Sequence, residues 1–285
     1  MRTVNGRRTN TWSILRTLSV HALLLCGVVY AIAPVLWGVS TSIKAQTEIF
    51  AFPPRWIPHH PTVANYVEVL TGSRFPRYLR NTVIVGFAAA ALSLVLASHA
   101  AYAASRFRLR GIRRLMSSMW VGVMIPGVST IVPLYVLAVR TGLYNTLLAL
   151  IIVHATYQVP TLVWLLRGFV SSVPPEIEEA AYIDGCGVFG AFYRITLRLL
   201  APGLAAGAIL TMVSVWNDFL WAYSLSLGDA ARLVQVGVYF FVTEAGIQWG
   251  PLMAASVAAL IPVVIAFALL QRAFVQGLTS GAVLG

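Results

Sequence analysis

Charged residues are spaced so widely in this chain that the gaps between them dictate its architecture. Six stretches of 19 residues or more carry no Asp, Glu, Lys or Arg: 18–43, 81–105, 115–139, 141–166, 199–217 and 245–271. A membrane-spanning helix needs about 20 mainly apolar residues. Lipid offers no partners to open backbone groups, so each stretch is expected to be helical. The fifth is expected to run on past Asp218 towards Leu225. The expectation is an all-α integral membrane chain with six spans and both termini on one side. Only 10% of the residues are charged, against roughly a quarter in soluble domains.

The net charge of +11 does not indicate nucleic-acid binding, because the arginines sit in short clusters between uncharged runs and form no continuous basic face. Such clusters set topology instead. Of the 20 Lys and Arg residues, thirteen fall in the N-tail, 106–114, 167–198 and Arg272. The other face has Lys44, Arg55, Arg74, Arg77, Arg80, Arg140 and Arg232. The positive-inside rule then puts both termini in the cytoplasm. The expected order is an N-tail at 1–17, a span region at 18–272 holding a cytoplasmic loop at 168–198, and a cytoplasmic tail at 273–285. Arg2, Arg7, Arg8 and Arg16 imitate a signal peptide, but the apolar run behind them is too long for one, so it is read as a retained first span. Cys26 and Cys186 have neither disulfide-framework nor metal spacing.

Three connections are long: Lys44–Arg80, Gly168–Arg198 and Leu227–Gly250. Loops of that length usually carry function. The spans contain Pro34, Pro126, Pro133, Pro160 and Pro262, which either kink helices along a path or serve packing alone.

Within Gly168–Arg198, residues 172–185 read as a separate short helix. Ser172 is the candidate N-cap, and Pro174 and Pro175 suit the first turn. Glu176, Glu178 and Glu179 lie near the positive end of the dipole, and Gly185 is a natural stop. Val188, Phe189, Phe192, Ile195 and Leu199 then fall on one helical face, with Arg194 and Arg198 opposite. Such a helix is either a docking element or an interfacial connector, and spacing alone does not choose.

A resemblance does choose. Glu179-Ala180-Ala181, three residues, Gly185, nine residues, Ile195-Thr196-Leu197 resembles the signature loop of ABC importer permeases, with Arg198 where the family usually has proline. Phe52-Pro53-Pro54-Arg55-Trp56, Asn65-Tyr66, Asn81-Thr82, Trp216-Asn217-Asp218 and the tail from Phe274 to Gly285 resemble the sugar branch, in particular the shorter permease subunit of maltose-type transporters. The resemblance implies a coupling helix on the ATP-binding subunit, carried by Glu176, Glu179, Ala180, Ala181, Asp184, Gly185, Ile195 and Leu197. It implies a second coupling segment at Gln276, Gly277, Leu278, Thr279 and Gly281. It further implies a homologous permease partner, a dimer of ATP-binding subunits holding ATP and Mg, an extracytoplasmic sugar-binding protein, and residence in a prokaryotic plasma membrane.

One deduction is independent of family. The only lysine is Lys44, outside the spans, so no Walker loop is possible. ATP must bind a partner; the chain is not expected to be an enzyme or to hold a cofactor. An ion-coupled carrier would place ionisable groups in its spans. Here Asp218 is the one acidic candidate, with His21, His99 and His154 scattered one per span and read as hydrogen-bonded packing residues. A membrane enzyme is disfavoured because no metal-ligand or nucleophile spacing is present. Candidates for the substrate path are Trp216, Asn217, Asp218 and Trp221, then Tyr157 and Gln158, with Ser129 and Thr130 between Pro126 and Pro133. Aromatic faces with amide or carboxylate groups suit sugars. Interfacial belts or helix–helix hydrogen bonds would use the same residues. In maltose-type transporters the sugar contacts fall mainly on the partner permease. A phosphorylated substrate such as glycerol-3-phosphate would favour a cationic path, and the charge-free stretches hold no arginine, so neutral sugars are expected.

Overall fold

The computed structural model describes residues 11–108, 110–244 and 246–282. The chain is helical almost throughout. Helix α1 is Thr11–Ser42, α2 is Phe75–Arg106, α3 is Ile112–Met124, α4 is Gly127–Arg140 and α5 is Leu147–Ser172. Then come α6 (Pro175–Ile183), α7 (Val188–Ala191), α8 (Ala201–Asn217), α9 (Leu220–Ser224), α10 (Val234–Tyr239) and α11 (Trp249–Ala282). A two-stranded antiparallel hairpin, β1 (Val242–Thr243) with β2 (Gly246–Ile247), precedes α11.

Four helices are long and apolar enough to cross a membrane unbroken: Leu15–Ser42, Phe75–Arg106, Leu147–Ser172 and Trp249–Leu269. Two further stretches are bent pairs, at 96° between Arg114–Met124 and Gly127–Arg140, and at 71° between Val188–Leu199 and Ala201–Asn217. The stretch 115–139 is therefore not one straight helix. Pro126, at φ −58 and ψ 131, caps α4 and lacks the N–H that would continue α3. The fifth stretch also ends sooner than expected. Asp218 is extended, at φ −82 and ψ 113, and helix resumes only at Leu220. The start of 141–166 is a turn rather than helix, with Gly142 and Asn145 at positive φ and Thr146 capping α5 through Ala149 N at 3.2 Å. At its other end α5 continues to Ser172, so Arg167 lies on the helix.

Helices α2, α5, α8 and α11 make the body. Helix α8 crosses its neighbours closely through Gly203 and Gly207. A Cβ at Gly203 would stand 2.7 Å from the Phe169 ring, and one at Gly207 2.8 Å from Leu94. This small-xxx-small spacing lets backbones approach where lipid supplies no hydrophobic drive. The core falls into three apolar clusters. One centres on Val85, Leu150 and Trp221, one on Leu162, Leu166 and Phe192, and one on Val69, Phe75 and Ala254. Helix α1 packs along α11, with Gly38 beside Met253, while most of its apolar side chains stay exposed.

Packing sorts the loops into two groups. Arg106, at the end of α2, bonds the segment before α6 through the Val173 carbonyl at 2.8 Å. At the opposite end the Asn81 amide donates to the Ala230 and Arg232 carbonyls, both at 3.0 Å, and Asn145 N donates to Leu225 O at 3.0 Å.

Candidate functional site

The first site is the loop following α5. Pro175 opens α6, and Pro174 caps it. Ser172 does not cap it; it closes α5, its hydroxyl donating to Phe169 O at 2.8 Å. The stop is as expected. Gly185 lies at φ +83, a left-handed conformation that favours glycine. Cys186 N donates to Ala181 O at 2.9 Å and Gly185 N to Tyr182 O at 3.1 Å, the double closure of a Schellman turn.

Glu178, which was not singled out as a coupling residue, holds this helix. It is 3% exposed. Its Oε1 accepts from Arg106 Nε at 3.1 Å and Thr196 Oγ1 at 2.8 Å, and its Oε2 from Tyr102 OH at 3.1 Å. Three donors from two elements, α2 and the segment 192–196, thus converge on one carboxylate, in an ion pair almost withdrawn from solvent. Ala181, three residues on, is buried on the same face of the helix. Glu176, Glu179, Ala180, Asp184 and Gly185 are exposed on the outer side, next to Ile183 at 87% exposure. Ile195 and Leu197 are half-buried.

The face expected after Gly185 is only partly right. Phe192 is buried, but Phe189 is 75% exposed, and Val188 and Leu199 are exposed too. A π-helical turn at Phe192–Thr196 widens the helix there. The buried set becomes Ala191, Phe192, Thr196 and Leu200. A π turn of this kind rotates everything beyond it relative to a 3.6-residue period. Arg194 and Arg198 are exposed, and Pro202 sits in the first turn of α8. The tail residues Gln276–Gly281 continue α11 as helix, and their side chains lie outside the described residues.

The second site is a cleft of about 270 Å³ lined by Gly127, Tyr157, Ser214, Asn217, Asp218, Leu220 and Trp221. It brings together four of the eight expected path residues, Tyr157, Asn217, Asp218 and Trp221. The break at Asp218 makes it. The Asp218 carboxylate accepts from Ala222 N at 3.1 Å and, more weakly, from Trp221 N at 3.3 Å, serving the open start of α9. Gln235 donates to Val215 O at 3.1 Å and to Asp218 O, serving the open end of α8. Trp221 stands against Tyr157, ring centroids 4.8 Å apart, and its indole donates to Thr130 Oγ1 at 3.2 Å. Gly127 allows that approach; its Cβ position is 3.4 Å from the indole.

Trp216 is elsewhere: its indole donates to Ala259 O at 3.1 Å and its ring lies over Gly86, so it packs the core. Gln158 does not line the cleft. Of the histidines, His21 and His99 are hydrogen-bonded as expected, His99 to Tyr193 OH at 2.7 Å. His154 is not. It is 1% exposed with its Nε2 3.5 Å from Asp218 Oδ2, beyond good hydrogen-bond range. Sequence could not pair His154 with Asp218, since 64 residues separate them. No group of three or more His, Cys, Asp or Glu suited to a metal occurs among the described residues.

The loop Lys44–Arg80 is built around the end of α1. Lys44 is 2% exposed, donates to Arg55 O at 2.6 Å and lies 4.2 Å over Trp37. Burial pulls its ammonium below the usual lysine range. Asn65 Nδ2 donates to Ser42 O at 2.9 Å and Lys44 O at 3.0 Å, closing the helix. Glu48 accepts from His59 N at 2.6 Å, which holds its carboxyl below the usual value.

With loop and cleft in place, the comparisons agree on one class. The chain belongs to the family described as binding-protein-dependent transport system inner membrane component, which matches residues 93–280; it is a permease subunit of an ABC transporter. It is 33% identical to the sulfoquinovosyl glycerol transport system permease of Agrobacterium fabrum over 95% of this chain and 94% of that one. It is 32% identical to the trehalose transport system permease of Mycobacterium tuberculosis over 99% and 100%. It is likewise 32% identical to a diacetylchitobiose uptake permease of Streptomyces coelicolor, over 92% and 94%. Its fold matches a bacterial ABC transporter involved in import of alginate, with a TM-score of 0.78 at 22% identity, covering 96% and 100%.

Proposed function

We propose that the chain is one permease subunit of an ATP-driven importer of sugars or oligosaccharides, working by alternating access. In this reading each bent pair is one crossing, which gives six spans. The Arg-rich loops and both termini face the cytoplasm. Helix α6 is the coupling helix. Its exposed Glu176, Glu179, Asp184 and Ile183 seat on a partner ATPase dimer that binds ATP and Mg. Gln276–Gly281 is a second contact. A homologous permease completes the pathway, and an extracytoplasmic binding protein delivers sugar to the Lys44–Arg80 and Leu227–Gly250 loops.

The observation that carries this reading is the loop itself: a capped nine-residue helix, pinned from behind by Glu178, that leaves acidic and large apolar side chains exposed together. An apolar group such as Ile183 is held in water only at a cost unless a partner covers it. The sugar class is supported by relatives named for trehalose and diacetylchitobiose transport. The test is uptake by vesicles holding the full complex. Glu179→Lys and Gly185→Asp are expected to abolish ATP-driven uptake at normal membrane levels. Normal uptake in both variants would remove the coupling role.

A specific observation favours an acidic sugar derivative as a second reading. Arg167 lies on α5 and lines a cleft of about 360 Å³ with Trp120, Pro160 and Trp164. Selective loss of acidic-sugar uptake in Arg167→Gln, with neutral-sugar uptake intact, would decide for it.

A further inference from the structure

Helix α2 differs from the other continuous span helices. Among the described residues, α1, α5 and α11 each contain an internal proline, at Pro34, Pro160 and Pro262. Helix α2 has none beyond its first turn over 32 residues. Proline removes a hydrogen bond and bends a helix, so α2 is the stiff member of the set.

Both ends of α2 are clamped by polar side chains. At one end Tyr102 and Arg106 hold Glu178 of α6, and Arg106 also holds the Val173 carbonyl. At the other end Asn81, 1% exposed, donates to the Ala230 and Arg232 carbonyls. Thr82 accepts from Val234 N at 2.8 Å, and Tyr78 donates to Asp229. Gly237 of α10 sits against the Tyr78 ring, which leaves no room for a Cβ. From Asn81 to Arg106 the helix spans about 37 Å at 1.5 Å per residue. One element free of internal proline therefore joins the loop assigned to the ATPase with the segment 229–237 at the far end.

We propose that α2 is a push-rod, and that Glu178 and Asn81 are the positioning residues fixing its two ends. Motion of α6 is delivered to segment 229–237 without being absorbed on the way, and occupancy at that segment is returned to the ATPase by the same element. Long-range coupling of this kind needs a packed element with two discrete positions that both sites bias. The buried Glu178–Arg106 pair supplies directionality that an apolar contact lacks, because it holds only one alignment.

The inference rests on the importer reading above. The experiment uses the complete transporter in vesicles, with its cognate binding protein purified with endogenous ligand. The readout is phosphate release with that protein divided by release without it. Glu178→Gln keeps shape and removes charge; Asn81→Ala frees the far end. Each is expected to lower the ratio by about fivefold or more, the range of ordinary inter-site coupling. Leu92→Gly with Val95→Gly softens the middle of α2 at two exposed positions and is expected to do the same. Ser118→Ala, which breaks an exposed hydrogen bond within α3 away from the rod, is expected to leave the ratio unchanged. A wild-type ratio in Asn81→Ala and in the double glycine variant would overturn the rod, even where Glu178→Gln fails to assemble. A wild-type complex without ATP-driven uptake would instead overturn the importer reading.

Discussion

The two polar clusters of this chain are built to different standards of completeness. Around Glu178 both carboxylate oxygens have donors from the chain, and the donors come from α2 and the π turn. Around Asp218 the carboxylate serves α9, yet both ring nitrogens of His154 and the Gln235 Oε1 make no hydrogen bond within the chain. The first cluster is almost withdrawn from solvent; the second opens on a cleft of about 270 Å³. Fully satisfied polar networks rigidify, whereas incomplete ones mark places where another arrangement or another molecule can supply the missing bonds. One region is a joint, and the other is left adaptable.

Substitution can break or sharpen that contrast. Glu178→Ala leaves Arg106 buried and unpaired, and removing one member of a buried pair costs about 3–5 kcal/mol. Thermal unfolding of the purified complex in detergent is expected to show it. Asp218→Ala takes the acceptor from the start of α9, and loss of a capping side chain costs about 1–2 kcal/mol in the same assay. Asp218→Asn keeps an acceptor and should cost less than about 1 kcal/mol, while still lowering uptake. Equal losses for Glu178→Ala and Asp218→Asn would erase the distinction between joint and cleft.

Gly185→Ala strains a residue at φ +83 and should cost about 1 kcal/mol, with a larger effect on coupling than on melting. The smallest effect is expected at Glu48. Its folded carboxyl sits below the usual value because His59 N–H is bonded to it. That contribution is present above the ordinary carboxylate pKa and is lost as pH falls through the lowered one. Hydrogen-exchange protection of residues 44–63, taken relative to the intrinsic rate at each pH, should fall in acid and lose that step in Glu48→Gln.

Much of the helical layout was legible because charge is excluded from lipid, so the spacing of Arg, Asp and Glu marks where helices end. The breaks were less legible. Pro126 reads in the sequence as a kink within one stretch, whereas the chain turns by 96° there. The Asp218 break reads as continuous helix by hydropathy; it exists because Asp218 and Gln235 serve both open ends. The apolar face after Gly185 was misassigned at Phe189 because a π turn has no reliable mark in hydrophobic periodicity.

By itself the sequence determined that the chain carries apolar helices long enough for a bilayer, that a Gly185-terminated helix lies between two of them, and that a Walker loop is absent. Those follow from local properties: residue type, spacing and backbone preference. Only the tertiary structure decided that Glu178 rather than Glu176 or Glu179 anchors that helix, that Trp216 belongs to the core while Trp221 lines the cleft, and that His154 stands beside Asp218. Each depends on partners 18 to 91 residues away, and a side chain's distant neighbours are set by how helices cross.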